Sequence, residues 1–244
     1  KRDWSSDVCS SDLDGRLVAK VVEPQRRIRV WSLDSGQSRL LEGTANADAI
    51  VFSPDGQQLA FRRSNQLFKV GLAGPSPQSI GVVNGGVGPI EWTDDGLIVC
   101  GSLRGGLKAI RADGGEPTTL LDLEGDEVAL RGPAAIAGTK LLLYQSMHGA
   151  QNVPRVMLLD RDSGRRHELA AGAGPLYVNG FLLWTPTING RVVAATLDLK
   201  SFAVGAPAPA LESNDIATST FFAAIAASPS GTIARVPGDT SVGT

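Results

Sequence analysis

The chain has 244 residues, enough for one large domain or two small ones, with 42% hydrophobic residues, 20% charged residues and a net charge of −2. That balance lacks the clustered basic excess of a nucleic-acid-binding surface, and no segment approaches the ~20 consecutive apolar residues of a membrane span. The 29 glycines and 14 prolines are spread along the chain, which suits many short elements joined by tight turns.

Residues 3–13 (DWSSDVCSSDL) match, position for position, the in-frame translation of a common sequencing adapter. They show neither strand alternation nor a helical stripe, and a natural Ser/Asp-rich linker is the other reading. Residues 1–13 are therefore set aside as adapter-derived, with no fold expected. Cys9 falls with them, so Cys100 stands alone and no disulfide framework is expected. The natural protein is expected to begin upstream of this stretch.

From residue 14 onward a turn signal recurs: Asp14-Gly15, Pro54-Asp55-Gly56, Asp94-Asp95-Gly96, a degenerate Ala137-Gly138-Thr139, Asn179-Gly180 and Ser230-Gly231. The steps are about 40 residues, the period of a WD-type blade, with one longer step near the end. Each signal lies between two apolar runs, as 49–52 and 59–61 flank Pro54-Asp55-Gly56, or Pro89-Ile90-Glu91-Trp92 and 97–100 flank Asp94-Asp95-Gly96. Asp-Gly and Asn-Gly supply the positive φ that a tight hairpin demands, so each pair is predicted to be a β-hairpin. A third run follows at 29–33, 67–72, 106–110, 155–159 and 191–197, and then a second turn such as Asp34-Ser35-Gly36 or Asp162-Ser163-Gly164. A short polar outer strand completes the unit, as at 37–41, 118–121 and 166–169.

Four strands per unit, growing more polar outwards, predict an all-β protein: a β-propeller of four-stranded antiparallel blades. No window shows a convincing 3.6-residue stripe, and a β-sandwich would not repeat its turn at this period. Residues 14–244 read as a single incomplete propeller, with blades at approximately 14–46, 47–85, 86–126, 127–172 and 173–214, and a partial one at 215–244. That is about five and a half blades of an expected six. The first unit lacks its inner strand, which should fall in the adapter-like segment. The last has an inner strand at 221–227, a turn at Pro229-Ser230-Gly231 and a second strand at 232–236. Unpaired inner edges are a liability, so the isolated chain is expected to aggregate unless the terminal half-units pair with each other as a closing blade.

Catalytic machinery is not legible. There is no G-x-S-x-G elbow, and nothing in the sequence sets His148 or His167, the only histidines, beside a serine. Both read as solvated surface residues. Asp160-Arg161-Asp162-Ser163-Gly164 begins like a calcium loop but lacks the later oxygen ligands and glutamate, so a hairpin turn is the better reading. Cys100 and the histidines have no zinc spacing. The pairs Gly85-Gly86, Gly105-Gly106 and Gly114-Gly115 feed strands rather than a helix N-terminus and read as turns. Arg26-Arg27, Arg62-Arg63 and Arg165-Arg166 read as solvated positions near turns or edges. Trp31, Trp92 and Trp184 fall in blade strands, as core fillers or as an aromatic ligand platform. No catalytic, cofactor-binding or metal residue is assigned, no cofactor is implied, and the binding residues stay unknown.

With the blades laid out, the chain resembles the TolB-like propeller found C-terminal to bacterial receptor-type serine/threonine protein kinases. The resemblance covers nearly everything after Leu13 and rests on Phe52-Ser53-Pro54-Asp55-Gly56, Trp92-Thr93-Asp94-Asp95-Gly96, Ala112-Asp113-Gly114-Gly115-Glu116-Pro117, Asn179-Gly180-Phe181-Leu182-Leu183-Trp184, Gly205-Ala206-Pro207 and Gly231-Thr232-Ile233-Ala234. It implies a non-catalytic sensor or scaffold, placed outside the cytoplasm, that binds a protein, peptide or small ligand at a propeller face. The parent would then be a kinase, although this stretch holds no kinase motif and no membrane segment. A propeller that gates a hydrolase or peptidase, and a free-standing periplasmic TolB-like adaptor, are the alternatives.

Overall fold

The computed structural model describes residues 9–12, 14–74, 76–186 and 191–210, and beyond these 218–219, 222–223, 225–228, 231 and 233–235. Among them every regular element is a β-strand. The first blade holds β1 (Cys9–Ser11), β2 (Leu17–Val22), β3 (Arg27–Ser32) and β4 (Ser38–Leu40); the second holds β5 (Ala49–Phe52), β6 (Gln58–Arg63), β7 (Gln66–Gly71) and β8 (Gln78–Val82). The third contains β9 (Gly86–Trp92), β10 (Leu97–Ser102), β11 (Leu107–Arg111) and β12 (Thr118–Leu121). The fourth contains β13 (Glu127–Ala135), β14 (Leu141–His148), β15 (Val153–Asp160) and β16 (Arg166–Ala171). The fifth is β17 (Ala173–Val178), β18 (Phe181–Thr185), β19 (Val193–Thr196) and β20 (Ala208–Pro209). Each is a four-stranded antiparallel sheet whose strands pair in chain order.

The hairpins form where the turn signals predict them, for a local chemical reason. Ser53 Oγ donates to Asp55 Oδ1 (2.6 Å) and accepts the Gln58 N–H (2.9 Å). Thr93 repeats this with Asp95 Oδ1 (2.6 Å) and the Leu97 N–H (3.2 Å). Gly56 and Gly96 then take φ of +68° and +80°, the left-handed region that a side chain disfavours. In the degenerate fourth turn Thr139 Oγ1 takes over, donating to the Ile136 carbonyl (2.6 Å) and accepting the Leu141 N–H (3.0 Å).

The core is a set of layers between blades rather than one centre. Alternation sends Ala19, Val21, Ile28 and Val30 of the first blade against Ile50, Phe52, Leu59 and Phe61 of the second. Ala60 and Leu67 on the second blade's other side meet Ile90, Trp92 and Ile98 of the third. The third and fourth blades share Val99, Leu107, Leu130 and Tyr144, and the fourth and fifth share Leu143, Leu158, Leu182 and Trp184. Each fully buried side chain of this size contributes about 1.5–3 kcal/mol.

Around the ring β1, β5, β9, β13 and β17 are successive neighbours. The remaining strands are two pairs, β21 (Thr218–Ser219) with β22 (Phe222–Ala223), and β23 (Ile225–Ala227) with β24 (Ile233–Arg235). β23 lies against both β17 and β1, so a two-stranded unit stands between the fifth and first blades. A four-stranded sixth blade is not found among the described residues. Phe221, Pro229, Ser230, Thr232 and Val236 of the predicted last unit lie outside them.

One expectation needs correction. Residues 1–13 were predicted to have no fold, yet β1 pairs with β2 in the register Cys9↔Lys20 to Ser11↔Val18 and supplies the first blade's inner strand. Backbone pairing asks for no alternation in so short a strand. The segment is also tied in by side chains: the Phe52 N–H donates to Ser10 Oγ (3.3 Å), and buried Asp12 accepts the Leu17 N–H (2.9 Å). The alternative in which the terminal half-units merge into one closing sheet is not found among the described residues. β1 joins its own blade, and β23–β24 remain a separate pair.

Candidate binding faces

The strand order gives the ring two faces. The hairpin face carries the turns between first and second and between third and fourth strands. The crossover face carries the turns between second and third strands and the connections from blade to blade. Loops on such faces are where recognition chemistry collects.

On the crossover face of the fourth blade, Ser146 and His148 are two apart on β14 and so share a side of the sheet. His148 Nε2 is 2.9 Å from Ser146 Oγ, and His148 Nδ1 is 2.7 Å from Asp126 Oδ1. This corrects the reading of His148 as a solvated residue with no serine beside it; its side chain is only 12% exposed. The order of groups is that of an acyl-transfer triad, but the chemistry is not. Ser146 is fully buried and gives its one hydrogen to Glu127 Oε1 at 2.6 Å, so its oxygen meets the imidazole as an acceptor. Such a hydroxyl is neither reachable by substrate nor poised for deprotonation. Glu127 Oε2 in turn pairs with Arg166 Nη1 (3.0 Å), while Arg166 Nη2 bonds the Asp122 carbonyl (2.6 Å) and Glu124 (3.1 Å). The chain of polar groups fastens the connection entering the fourth blade.

Two more guanidinium groups do similar work on this face. Arg62 Nε binds Asp48 Oδ1 at 2.6 Å, and Asp48 Oδ2 accepts the Ser64 N–H (2.9 Å), which joins the connection into the second blade to that blade's β6–β7 turn. Burial raises the Asp48 carboxyl above its ordinary value, although Arg62 opposes this. Arg131 reaches across to the Leu103 carbonyl (3.0 Å) in the third blade's β10–β11 turn. Arg62 and Arg131 are buried, and Arg166 is nearly so, which corrects the reading of Arg62 and Arg166 as solvated. Above these clamps Val82, Leu103, Leu123 and Val153 present exposed apolar side chains on blades two to four.

The hairpin face is knit by Asp95, which accepts Arg161 Nη1 and Nη2 (3.0 Å each), Lys140 Nζ (2.8 Å) and Thr93 Oγ1. Those hydrogen bonds, Arg161 foremost, hold its carboxyl far below the usual carboxylate range. Asp94 Oδ2 accepts the Gly138 N–H (2.6 Å), so both acids of the third turn bind the fourth blade. In the calcium-like segment, Asp160 uses its carboxylate on the Asp162 N–H (3.1 Å) and the Ser163 hydroxyl. It is a hairpin turn, and among the described residues no group of three or more His, Cys, Asp or Glu could hold a metal ion.

The other candidates resolve individually. His167 is half-buried with its ring 4.5 Å from Phe202. Trp92 and Trp184 fill layers between blades, whereas Trp31 is half-buried on the first blade. Cys100 is a buried free thiol that burial pushes up to about 11. Glu91 on inner strand β9 was not singled out by the sequence. Burial pushes its carboxyl up to about 8 against a hydrogen bond from the Ala135 backbone, with Asp94 adding to the rise. Only its place on an inner strand, between Ile90 and Trp92, could have drawn attention to it.

Five four-stranded antiparallel blades ranged around a ring define a β-propeller fold. Its fold is that of TolB-like propellers. The structure is similar to a protein from Agrobacterium tumefaciens described as TolB (TM-score 0.67, 18% identity, 88% of this chain and 79% of that one). It is similar also to TolB of Acinetobacter baumannii (TM-score 0.63, 16% identity), where it covers 82% of this chain and spans only 56% of the other. A chain of a nidogen/laminin complex matches with a TM-score of 0.61 and 16% identity, over 82% of this chain and 78% of that one. No family model and no curated protein matches the sequence. No helix among the described residues is long and apolar enough to cross a membrane.

Proposed function

We propose that this propeller is a non-catalytic module that binds a protein partner through the crossover face of blades two to four. The observation that carries this reading is the pairing of exposed Leu103, Leu123 and Val153 with loops held from below by Arg131, Arg166 and the Ser146–His148–Asp126 chain. Apolar groups on a pre-organised frame lose little freedom on docking, which favours affinity. The blade motifs that resemble kinase-linked propellers extend the reading to the extracytoplasmic sensor of a bacterial serine/threonine kinase. A free-standing periplasmic adaptor is the second reading, supported by the likeness to two TolB structures.

The sequence of the complete gene separates them. A kinase domain and one apolar span upstream are expected; a secretory leader alone would replace the sensor by the adaptor. A G-x-S-x-G elbow on the same chain would turn the propeller into a hydrolase gate. The face itself is tested on the full-length protein with Leu103→Glu and Val153→Glu together. Loss of co-purification with the native partner at unchanged Tm is expected, and retained binding would exclude this face.

A further inference from the structure

The ring of His148 lies between two hydrogen-bond acceptors. Ser146 Oγ and Glu127 Oε1 stand 2.6 Å apart, a separation that two oxygens reach only with a hydrogen between them, and the serine has one to give. Glu127 takes it as a carboxylate, for its other oxygen accepts Arg166 Nη1 (3.0 Å) and the Glu124 N–H (2.8 Å). The serine oxygen therefore offers only lone pairs to His148 Nε2 at 2.9 Å, and that nitrogen donates. Across the ring, Nδ1 is 2.7 Å from Asp126 Oδ1, and a carboxylate only accepts. Both ring nitrogens carry hydrogen, which makes His148 an imidazolium held between Asp126 and the Ser146–Glu127 pair.

The other charged groups around the ring are matched among themselves. Arg155 of β15 pairs with Glu168 of β16 (2.8 Å), and Arg166 of β16 is shared by Glu124 and Glu127. Tyr144, on the same side of β14, is kept neutral by burial, and β17, also packed on β14, brings no charged residue. Asp126 stays ionised further into acid than an ordinary aspartate, because the bond from His148 holds its carboxyl down. Histidine is the side chain that changes charge between about pH 5 and about pH 8, where these neighbours keep theirs.

A neutral imidazole has one N–H and one lone pair. With the hydrogen on Nδ1, a lone pair faces Ser146, whose hydroxyl must leave Glu127 to satisfy it. With the hydrogen on Nε2, a lone pair faces the Asp126 carboxylate. Either way the chain of polar groups loses one bond. Two loops depend on that chain. Residues 124–127 enter the fourth blade just after exposed Leu123, and the β14–β15 turn, tied to them by the Gly149 N–H on the Asp126 carbonyl (3.0 Å), leads into exposed Val153.

We propose that His148 is a pH latch on the crossover face: protonated, it fastens these two loops to each other, and neutral, it lets them part. The latch deepens the binding reading above and rests on it for one consequence. Leu123 and Val153 are held in docking position in mild acid, so partner affinity is highest there and falls as the ring loses its proton. The sign follows from linkage, since contacts that need the charged ring are present at low pH and lost as it titrates.

The test uses the whole chain labelled with heavy nitrogen. His148 and His167 are the only histidines, so His167→Gln assigns the two ring signals. At about pH 5.5 both His148 nitrogens are expected at imidazolium shifts. The Glu127 and Gly149 amides, bonded to the Glu124 and Asp126 carbonyls, report the two loops. Their exchange protection, which cancels the intrinsic effect of pH, should be about tenfold greater there than at about pH 8. His148→Gln has no such proton to lose and should protect both amides equally at the two pH values. If that variant does not fold, the ring signals and amide exchange of the unaltered chain still decide. A His148 ring with one bare nitrogen in mild acid, protection that stays constant while the ring titrates, or a pH dependence kept by His148→Gln would each overturn the latch. These measurements need no partner, so the latch fails separately from the face, which falls if binding survives Leu103→Glu with Val153→Glu. Equal recovery of the native partner at the two pH values would overturn the gating.

Discussion

Tyr144 carries its hydroxyl into the layer between the third and fourth blades, where it is fully buried and has no hydrogen-bond partner. That desolvation pushes its ionisation above the ordinary tyrosine value. A buried hydroxyl left unbonded is a net cost, so Tyr144→Phe is expected to be neutral or to stabilise by up to about 1 kcal/mol in urea unfolding. Ser146, one alternation further along β14, predicts the opposite. Its hydroxyl bridges Glu127 and His148, so Ser146→Ala should cost about 1–2 kcal/mol. Glu91 adds a pH dependence. Its folded value of about 8 lies above the ordinary 4.5, so the folded chain holds that proton longer than the unfolded one. The contribution is intact below pH about 4.5 and is lost as pH rises through about 8. Glu91→Gln cannot ionise. It should melt with the unaltered protein at pH 5 and a few degrees above it at pH 9, a difference of roughly 1–3 kcal/mol.

At the scale of elements, neighbouring blades are joined by turn-to-turn charge and by close backbone approach. Asp95→Asn would release Arg161 and Lys140 and should lower stability by about 1–2 kcal/mol at pH 7, since the acceptor is partly exposed. Because the Asp95 carboxyl titrates below its unfolded value, this stabilisation is present above pH about 4 and fades as the pH falls further. Thermal melts of the two proteins should therefore converge in acid. Gly101 of β10 passes so close to β13 that an added Cβ would sit 2.7 Å from Arg131 Cα and 3.1 Å from the Leu130 carbonyl. Backbone cannot yield as a side-chain tip can, so Gly101→Ala should destabilise by about 1–3 kcal/mol. The hairpins were legible because an Asp-Gly or Asn-Gly turn is decided within a few residues. The Ser146–His148–Asp126 chain was not. His148 ends β14 and Asp126 lies in the turn before β13, so they meet only once the inner hairpin of the fourth blade has closed. The same holds for Arg62 and Asp48. Doubled arginines resemble a solvated edge until the strand register shows which of the two points inward.

At the scale of the whole molecule, the recurring turn revealed the propeller, while the seam of the ring was hidden. The seam is made of a three-residue strand without pattern and a hairpin that reaches it from the far end of the sequence. β1 carries no periodic signal, and although the Ser230-Gly231 turn marks the last hairpin, nothing in the sequence sets that hairpin against β1. Ending the chain after Ala210 should uncover both β17 and β1. Light scattering is expected to show higher oligomers or aggregate where the 244-residue chain gives a defined species, and equal behaviour of the two would mean that β23–β24 does not seal the ring.

That seam also sets an order of events during synthesis. Each blade is completed by residues within about 40 positions of one another, so it can assemble soon after its last strand leaves the ribosome. The contact between β1 and β23 joins residues more than two hundred positions apart. Until β23 is made, β1 waits as the flank of an open arc. At roughly 5–20 residues per second, that wait lasts for ten seconds or more. Within the ring, β1 is thus the edge exposed longest, and a chaperone that shields that one strand edge would matter more than one acting on any finished blade.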